Sequence, residues 1–186
     1  MNSHQVRFDV DLIRRYDRSG PRYTSYPTAV QFTDRFGLAE YRAAALARNQ
    51  DPIPRPLSLY VHIPFCSSPC FYCGCTKVIT RNHEKAEAYL YRLHREIELQ
   101  SQLYDRDREV EQLHFGGGTP TFLTSLEIDR LIEKLGSHFK LSSDPGREYS
   151  IELDPRTITR DTLRDLARVG FNRCSLGIQD FDPLVQ

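Results

Sequence analysis

Residues 57–75 read Leu57-Ser-Leu-Tyr-Val-His-Ile63-Pro-Phe-Cys66-Ser-Ser-Pro-Cys70-Phe-Tyr-Cys73-Gly-Cys75, an apolar strand pattern that runs straight into a cysteine cluster. Its first three cysteines have the spacing C-x3-C-x2-C. Paired C-x2-C hooks are typical of tetrahedral zinc, whereas three thiolates can hold three irons of a 4Fe-4S cube and leave the fourth iron open to a small molecule. The stretch therefore predicts a strand followed by an iron-sulfur loop with Cys66, Cys70 and Cys73 as metal ligands.

Two alternative roles for the cysteines remain open. Cys75 could complete a four-thiolate structural zinc site, or the thiols could be ordinary buried side chains. We favour the iron-sulfur hypothesis and treat Cys75 as a spare thiol near the site. Cys174, which lies far along the chain, is predicted to be a small buried core residue of a strand, because free cysteine usually behaves as a hydrophobe.

Downstream of the cysteines, strand and helix patterns alternate. Predicted strands cover residues 57–63, 110–115, 149–152 and 173–178, and predicted helices cover residues 84–103, 124–139 and 161–169. Thr124-Ser-Leu-Glu127 is a capping box, and Leu163 and Leu166 are expected to face inward from the last helix, which Gly170 ends. This alternation predicts an α/β fold with a parallel sheet of βαβ units.

The unusual residues follow the strands. The cysteines come after the first strand, Gly116-Gly-Gly-Thr-Pro120 after the second, Glu152 and Asp154 at the end of the third, and Gln179 after the fourth. Because the carboxyl ends of parallel strands lie at one edge of a sheet, we expect these motifs to converge on one ligand site.

The region before residue 57 differs in character. Short amphipathic helices are predicted over about residues 9–17 and 34–49, and Asp51-Pro-Ile-Pro-Arg-Pro56 forbids continued helix because proline lacks a backbone donor. We therefore expect an N-terminal arm and linker over residues 1–56 and the main domain over residues 57–186.

Composition excludes several classes of protein. Lys plus Arg and Asp plus Glu are equal at 25 each, so no net positive field would attract nucleic acid or an anionic membrane. No apolar run approaches the ~20 residues that cross a bilayer, and the first residues lack a signal-peptide core. Clustered free thiols persist in a reducing compartment, so the expected location is the cytoplasm.

Several residues near the strand ends have side chains or backbone suited to a ligand. The triple glycine lacks a Walker lysine and a dinucleotide fingerprint, but it lets backbone approach a ligand closely. Glu152 and Asp154 could accept ribose hydroxyls or face an ammonium group, and Gln179 suits a hydrogen bond to a small ligand. His62 is a candidate for proton transfer, although a histidine inside a strand is more often a satisfied core residue.

Taken together, the motifs resemble a known family. The cysteine spacing with the aromatic Tyr72 and the glycine-rich turn is similar to that of radical S-adenosylmethionine (SAM) enzymes. More narrowly, the sequence resembles the oxygen-independent coproporphyrinogen III oxidases in Gly20-Pro-Arg-Tyr-Thr-Ser-Tyr-Pro27, Leu59-Tyr-Val-His-Ile-Pro-Phe-Cys66, Leu113-His-Phe-Gly-Gly-Gly-Thr-Pro-Thr121, Ile151-Glu-Leu-Asp-Pro155 and Phe171-Asn-Arg-Cys-Ser-Leu-Gly-Ile-Gln-Asp-Phe181.

The resemblance implies a function. The fold would be the first part of a partial (β/α)6 TIM-like barrel, and the cofactors a 4Fe-4S cluster and SAM. A 5′-deoxyadenosyl radical would drive oxidative decarboxylation of two propionates of coproporphyrinogen III to vinyl groups, in haem biosynthesis. An electron donor of unknown identity would be required, and the complete protein would be a monomer. By resemblance, Tyr60, Tyr72, Gly117 and Glu152 contact the cluster-bound SAM, and Gly118, Thr119 and Gln179 a second SAM; Arg22 could reach the anionic substrate.

Length is the main departure from that family. Its members have roughly six βα units and a C-terminal helical domain, so residues 1–186 are expected to be a fragment that is inactive alone and exposes an unpaired strand edge. A haem-binding chaperone relative that keeps the cluster without oxidase activity is the alternative.

Overall fold

The computed structural model describes residues 8–18, 28–182 and 184. The helices are α1 (Val10–Tyr16), α2 (Leu38–Ala47), α3 (Glu84–Ser101), α4 (Ser125–His138) and α5 (Arg160–Arg168). The strands are β1 (Leu57–Ile63), β2 (Phe65–Cys66), β3 (Val78–Ile79), β4 (Glu109–Gly117), β5 (Lys140–Leu141), β6 (Glu148–Leu153) and β7 (Arg173–Leu176).

The chain divides into two compact units, residues 1–41 and 42–186. Within the first unit, Asp9 caps α1 by accepting hydrogen bonds from the backbone amides of Asp11 and Leu12. The Gly20–Pro27 motif and Arg22 lie outside the described residues. A boundary at residue 56 stays a prediction.

A parallel sheet with the strand order β1-β4-β6-β7 is the centre of the second unit, and β5 pairs with the beginning of β4. Each strand neighbours the next long strand in sequence, with a helix between them. The prediction of an α/β fold with parallel βαβ units is confirmed. A second, two-stranded parallel sheet is formed by β2 and β3.

The two faces of the large sheet differ because side chains alternate along a strand. Val61, Phe115 and Ile151 form a buried row across β1, β4 and β6. This row belongs to the core that the apolar stripes of α3 and α4 complete. Tyr60, His114 and Ser150 form the neighbouring row on the other face, which is polar and partly exposed.

Helix α4 begins as the sequence predicts. The Thr124 hydroxyl accepts from the Glu127 amide, and the Glu127 carboxylate accepts in return from the Thr124 amide at 2.8 Å. A capping box satisfies backbone donors that the first helical turn leaves unpaired. The predicted end of α5 is also confirmed, because Gly170 has φ +109°.

Two predictions about burial are wrong. Leu166 of α5 is 4% exposed as expected, but Leu163 is 42% exposed. Cys174 is exposed rather than buried, together with the rest of β7. Both residues line a shallow apolar cleft beside Leu153 and Phe171, between α5 and the last two strands. At this edge of the described sheet, α5 covers the strands only in part.

No helix in the described part of the chain combines the length and the apolar character needed to cross a membrane.

Candidate cofactor site

The cysteine loop is held at both ends by backbone hydrogen bonds. The amide of Val78 donates to the carbonyl of Pro64 at 2.7 Å, and the amide of Thr80 donates to the carbonyl of Cys66 at 2.9 Å. These bonds form the β2–β3 ladder, so residues 66–77, which we call the cysteine loop, begin and end at neighbouring points. A turn inside the loop brings the Cys73 amide to the Cys70 carbonyl.

All five cysteines are free thiols. Cys66, Cys70 and Cys73 are partly buried, and Cys75 is exposed. Within residues 8–18, 28–182 and 184, no three His, Cys, Asp or Glu side chains are grouped closely enough to hold a metal ion. The assignment of Cys66, Cys70 and Cys73 as ligands therefore stays a prediction.

The last two thiols of the loop interact with each other. The backbone amide of Cys75 donates to the Cys73 sulfur and lowers the pKa of that thiol, and the ammonium group of Lys77 contributes in the same direction. Lys77 also donates to the Cys73 carbonyl. Partial desolvation by neighbouring atoms raises the pKa of Cys75 even though its residue is exposed, and its hydrogen bond with Cys73 adds to this shift. Cys73 is thus the thiol of this pair that ionises more readily, as metal ligation requires.

The three consecutive glycines each lie against a different neighbour. A Cβ added at Gly116 would lie 3.0 Å from His114 Nε2 and about as close to Tyr60 and Glu152. At Gly118 it would lie 2.9 Å from the sulfur of Cys66 and 2.8 Å from the Phe65 carbonyl oxygen. Neither neighbourhood has room for a larger residue, so these glycines permit a close approach of side chains and backbone.

Gly117 is constrained in two ways. Its φ is +115°, a conformation that disfavours residues with a side chain, and an added Cβ would lie 2.7 Å from Cε1 of His62. Its amide donates to the Glu152 carboxylate at 3.0 Å. The three glycines, Gly116 to Gly118, are therefore closely packed where side chains of β1, β4 and β6 meet, and we call them the glycine joint.

Hydrogen bonds connect this joint to the cysteine loop. The Gly118 amide donates to the Ile63 carbonyl and the Thr119 amide to the Phe65 carbonyl, each at 2.8 Å. The Thr119 hydroxyl donates to the Cys66 sulfur at 3.5 Å. Because both amides are used inside the protein, any ligand contact from Gly118 or Thr119 would use other atoms.

His62 has partners on both ring nitrogens. Its Nε2 lies 2.9 Å from the Thr76 carbonyl, which can only accept, so this nitrogen carries the hydrogen. The Tyr60 hydroxyl lies 3.0 Å from Nδ1 and can donate to it. The ring thereby fixes the end of the cysteine loop to β1. This is a structural role, in which both ring nitrogens have hydrogen-bond partners within the protein. A catalytic role for His62 stays a prediction.

A cluster on the polar face includes His114 and Ser150, which the sequence does not predict as site residues, although His114 lies within the Leu113–Thr121 motif. His114 Nδ1 lies 2.6 Å from the Ser150 hydroxyl, and Nε2 lies 3.4 Å from Oε1 of Glu152. The His114 ring stacks on Tyr60, with centroids 5.7 Å apart and planes at 19°. We call these four residues, Tyr60, His114, Ser150 and Glu152, the polar cluster. The signal available in the sequence is the alternation of polar residues at 112 and 114 in β4, and at 150 and 152 in β6.

Burial raises the pKa of Tyr60, and the charges of Glu152 and Cys75 raise it further. Both groups are close enough to act on the Tyr60 hydroxyl when they are ionised. The electrostatics thus agree with the hydrogen bonds that join His62 to Tyr60 and to Thr76. Both place the end of the cysteine loop beside the polar cluster.

Asp154 is engaged elsewhere. Its carboxylate accepts two hydrogen bonds from the Arg156 guanidinium, at 2.9 and 2.8 Å, and this pairing lowers the pKa of Asp154. Of the two carboxylates proposed from the sequence, only Glu152 belongs to the polar cluster. Asp154 instead shapes the turn after β6.

The remaining predicted residues lie at the same edge or on the loop. Of these, Tyr72 is half-exposed. Two further aromatic residues flank the cysteines: Phe71 is fully exposed, and Phe65 is buried and packs edge-on against Tyr89 at 5.5 Å. Gln179 follows β7 and has φ +69°, and its side-chain nitrogen would lie 2.7 Å from a Cβ at Gly177. The cysteine loop, the glycine joint and Glu152 are therefore brought together by direct contacts, and Gln179 follows the next strand.

The types of donor on this loop suit an iron-sulfur cluster, although the thiols are not yet grouped around one point. Three free, partly exposed thiols lie on one loop whose ends are fixed, and the Cys66 sulfur accepts a hydrogen bond from Thr119, a common feature around cluster sulfurs. A cleft at the opposite ends of the strands, lined by Ser58, Glu111 and Glu148, contains none of the predicted site residues.

Comparison with known proteins agrees with this site. Residues 60–186 match the model of the radical SAM superfamily. The oxygen-independent coproporphyrinogen III oxidase of Pseudomonas aeruginosa is 52% identical over 181 residues, which cover 97% of this chain and 39% of the relative. A protein of the same name from Mannheimia haemolytica is 48% identical over 151 residues, and the match covers 81% of this chain and 99% of that relative.

The chain belongs to the oxygen-independent coproporphyrinogen III oxidase family of radical SAM proteins.

A solved structure agrees with this assignment. The coproporphyrinogen III oxidase of Escherichia coli, described as a radical SAM enzyme, superposes with a TM-score of 0.81 at 46% identity and covers 98% of this chain. The cofactors of this oxidase family, a 4Fe-4S cluster and SAM, are therefore those of the chain. The relatives carry the oxidase name, which favours that hypothesis over a haem-binding chaperone. The chain spans 39% of the length of the Pseudomonas aeruginosa oxidase and of the Escherichia coli structure.

Proposed function

We propose that this chain supplies the cluster-binding and SAM-binding part of an oxygen-independent coproporphyrinogen III oxidase. The observation that carries the proposal is that hydrogen bonds join three motifs that are far apart in sequence: the cysteine loop, the glycine-rich turn and the end of β6. Thr119 of the glycine-rich turn donates to Cys66 of the cysteine loop, and Gly117 of the same turn donates to Glu152 of β6. Such an edge of a parallel sheet is where α/β proteins bind their ligands.

In this proposal Cys66, Cys70 and Cys73 hold three irons, and the fourth iron is left for SAM. Tyr60, Tyr72, Gly117 and Glu152 line the cluster-bound SAM, and Gly118, Thr119 and Gln179 line a second SAM. A carboxylate such as Glu152 suits the ammonium group of SAM, because its oxygens can only accept hydrogen bonds. The lowered pKa of Cys73 favours the thiolate form that binds iron.

When bound and reduced, the cluster supplies one electron that cleaves SAM to methionine and a 5′-deoxyadenosyl radical. Each propionate of coproporphyrinogen III then gives one hydrogen atom to a radical, one electron to a one-electron acceptor and one carbon dioxide, which leaves a vinyl group. The protein residues bind and orient these reactants. Two rounds give protoporphyrinogen IX.

The cellular setting is part of the proposal. We place the protein in the cytoplasm, with a separate electron donor, and as a monomer when complete. Clustered free thiols support a reducing compartment. A formal charge of zero gives no reason to expect nucleic acid or anionic lipid as a partner.

The test begins with anaerobic reconstitution of the chain with iron and sulfide. We expect about four irons and four sulfides per chain, visible absorption that dithionite bleaches, and 5′-deoxyadenosine on addition of SAM. The matched control is Cys70→Ser. A colourless chain that holds one zinc ion would contradict the proposal at its first step.

The substrate is tested separately. Coproporphyrinogen III, SAM and a reductant should yield a product that has lost two carbon dioxide molecules, as measured by mass spectrometry. Cluster formation and SAM cleavage without any vinyl product would retain the radical SAM site and reject the substrate.

A further inference from the structure

We infer that His114 is a positioning residue of the SAM site, which holds Glu152 and Tyr60 in the orientation that the ligand needs. The inference rests on the proposed function. His114 lies in the middle of β4, where it aligns with Tyr60 of β1 and Ser150 of β6. It therefore reaches two of the residues assigned to SAM from the strand between them.

The contacts of His114 restrict Glu152. One Glu152 oxygen accepts from the Gly117 amide at 3.0 Å, and the other lies 3.4 Å from His114 Nε2. A carboxylate has about four acceptor positions, so two stay open to a ligand. Because a hydrogen bond restricts each of the two carboxylate oxygens, the two open acceptor positions keep one fixed orientation. Hydrogen bonds of this kind are often long before a ligand binds and shorten in the complex.

Ser150 determines which ring nitrogen of His114 carries the hydrogen. The Glu152 carboxylate only accepts, so Nε2 must donate. The Ser150 hydroxyl, 2.6 Å from Nδ1, can donate to the remaining nitrogen and thereby keep the hydrogen on Nε2. This is the arrangement by which an outer residue orients an inner one in many ligand sites.

Gly116 supplies the space for the arrangement. An added Cβ there would lie 3.0 to 3.1 Å from His114, Glu152 and Tyr60 at once. The ring of His114 also stacks on Tyr60, so it restricts both residues. All three side chains thus meet above one glycine, and His114 contacts both Tyr60 and Glu152.

The test measures SAM binding by equilibrium dialysis with the anaerobically reconstituted protein. His114→Phe keeps the stacking on Tyr60 and removes both ring nitrogens, and His114→Gln keeps a donor for Glu152. We expect His114→Phe to weaken SAM binding about tenfold and His114→Gln to weaken it less than about threefold. His138→Phe, at the end of α4 where Nδ1 lies 3.0 Å from the Lys134 carbonyl, is the matched control and should bind like the unaltered protein.

A SAM analogue without the α-amino group separates positioning from a general structural effect. Because Glu152 is inferred to face the ammonium group, the analogue should bind equally to the unaltered protein and to His114→Phe. Equal losses for SAM and the analogue, or no loss for either, would overturn the inference.

Two further results keep the test decisive. If His114→Phe binds less iron, or if its circular dichroism spectrum shows that it is not folded, Ser150→Ala is tested in its place. Ser150→Ala should weaken SAM binding about threefold without affecting binding of the analogue. Unchanged SAM binding would reject the inference. If the unaltered, cluster-loaded protein binds neither compound, the proposed SAM site is wrong, and the inference with it.

Discussion

Gly118 lies directly against Cys66, since a Cβ at position 118 would come within 2.9 Å of the cysteine sulfur. The carbonyl oxygen of Phe65 would be 2.8 Å away, and backbone atoms cannot turn aside as a flexible side chain can. The glycine-rich turn and the first predicted iron ligand therefore share one space. A side chain at position 118 would compete with the cysteine loop for it.

Gly118→Ala should displace the cysteine loop. We expect a loss of about 1–3 kcal/mol in the free energy of unfolding, typical of overpacking, and a lower iron content after reconstitution. The control is Gly136→Ala inside α4, where the nearest atom to an added Cβ is 3.6 Å away. That change should stabilise the chain by about 0.5–1 kcal/mol, because alanine favours helix. Equal iron contents in the two variants would contradict the prediction.

Serine substitutions should divide the cysteines into two groups. Cys66→Ser, Cys70→Ser and Cys73→Ser should each lose most of the iron and the visible absorption, because a hydroxyl binds iron poorly. Cys75→Ser and Cys174→Ser should keep about four irons per chain. Loss of all bound metal in Cys75→Ser, with zinc in the unaltered chain, would instead indicate a four-thiolate zinc site.

The two leucines of α5 should differ in their effect on stability. Leu166→Ala removes a side chain that is 4% exposed and should cost about 2–5 kcal/mol, measured by urea unfolding. Leu163→Ala removes one that is 42% exposed, and the cost should stay below about 1 kcal/mol. Similar losses would show that the cleft beside β7 is covered in solution.

Acid should weaken the contact between α3 and α4. Glu98 accepts from Lys134 at 2.7 Å and from Arg95 at 2.8 Å, and these bonds lower its pKa to about 2. A carboxyl with a lowered pKa stabilises the folded state above its unfolded value near 4.5 and loses that contribution as pH falls toward 2.

Glu98→Gln should therefore flatten the dependence of stability on pH between about 4.5 and 2, measured by thermal unfolding. The effect should be small and should shrink in high salt, because the pair is accessible to solvent. Glu84→Gln, at the exposed start of α3, is the control. A pH dependence identical to that of the unaltered chain would reject the role of Glu98.

Local sequence patterns determine most of the fold. The sequence predicts strand β1 at its observed bounds, because Pro56 precedes it and its residues alternate between apolar and polar. The capping box at Thr124 locates α4, and Gly170 locates the end of α5. These signals depend on neighbouring residues only, so they need no knowledge of the sheet.

Burial at the edge of the sheet could not be predicted in the same way. Cys174 aligns with Ile151, in the row of buried residues that continues through Phe115 and Val61, yet it is exposed. Its exposure depends on how far α5 covers β7, which strand alternation does not reveal. The prediction for Leu163 fails for the same reason.

The polar cluster shows a second limit. His114 becomes notable only when the register places it beside Tyr60 and Ser150, and no local motif marks that register. The sequence suggests that Asp154 is free for a ligand, whereas Arg156, two residues later, occupies it. That pairing is local, and the Asp-Pro-Arg sequence offers a signal for it.

The backbone bonds from Val78 to Pro64 and from Thr80 to Cys66 also bear on how metal is acquired. A free peptide with the sequence of residues 64–80 would have to lose much of its chain entropy to bring its thiols around a cluster. In the folded chain, these backbone hydrogen bonds already hold the two ends of the segment together before iron binds. Assembly of the cluster should therefore be more favourable in the protein than in the peptide, and unfolding should release the iron.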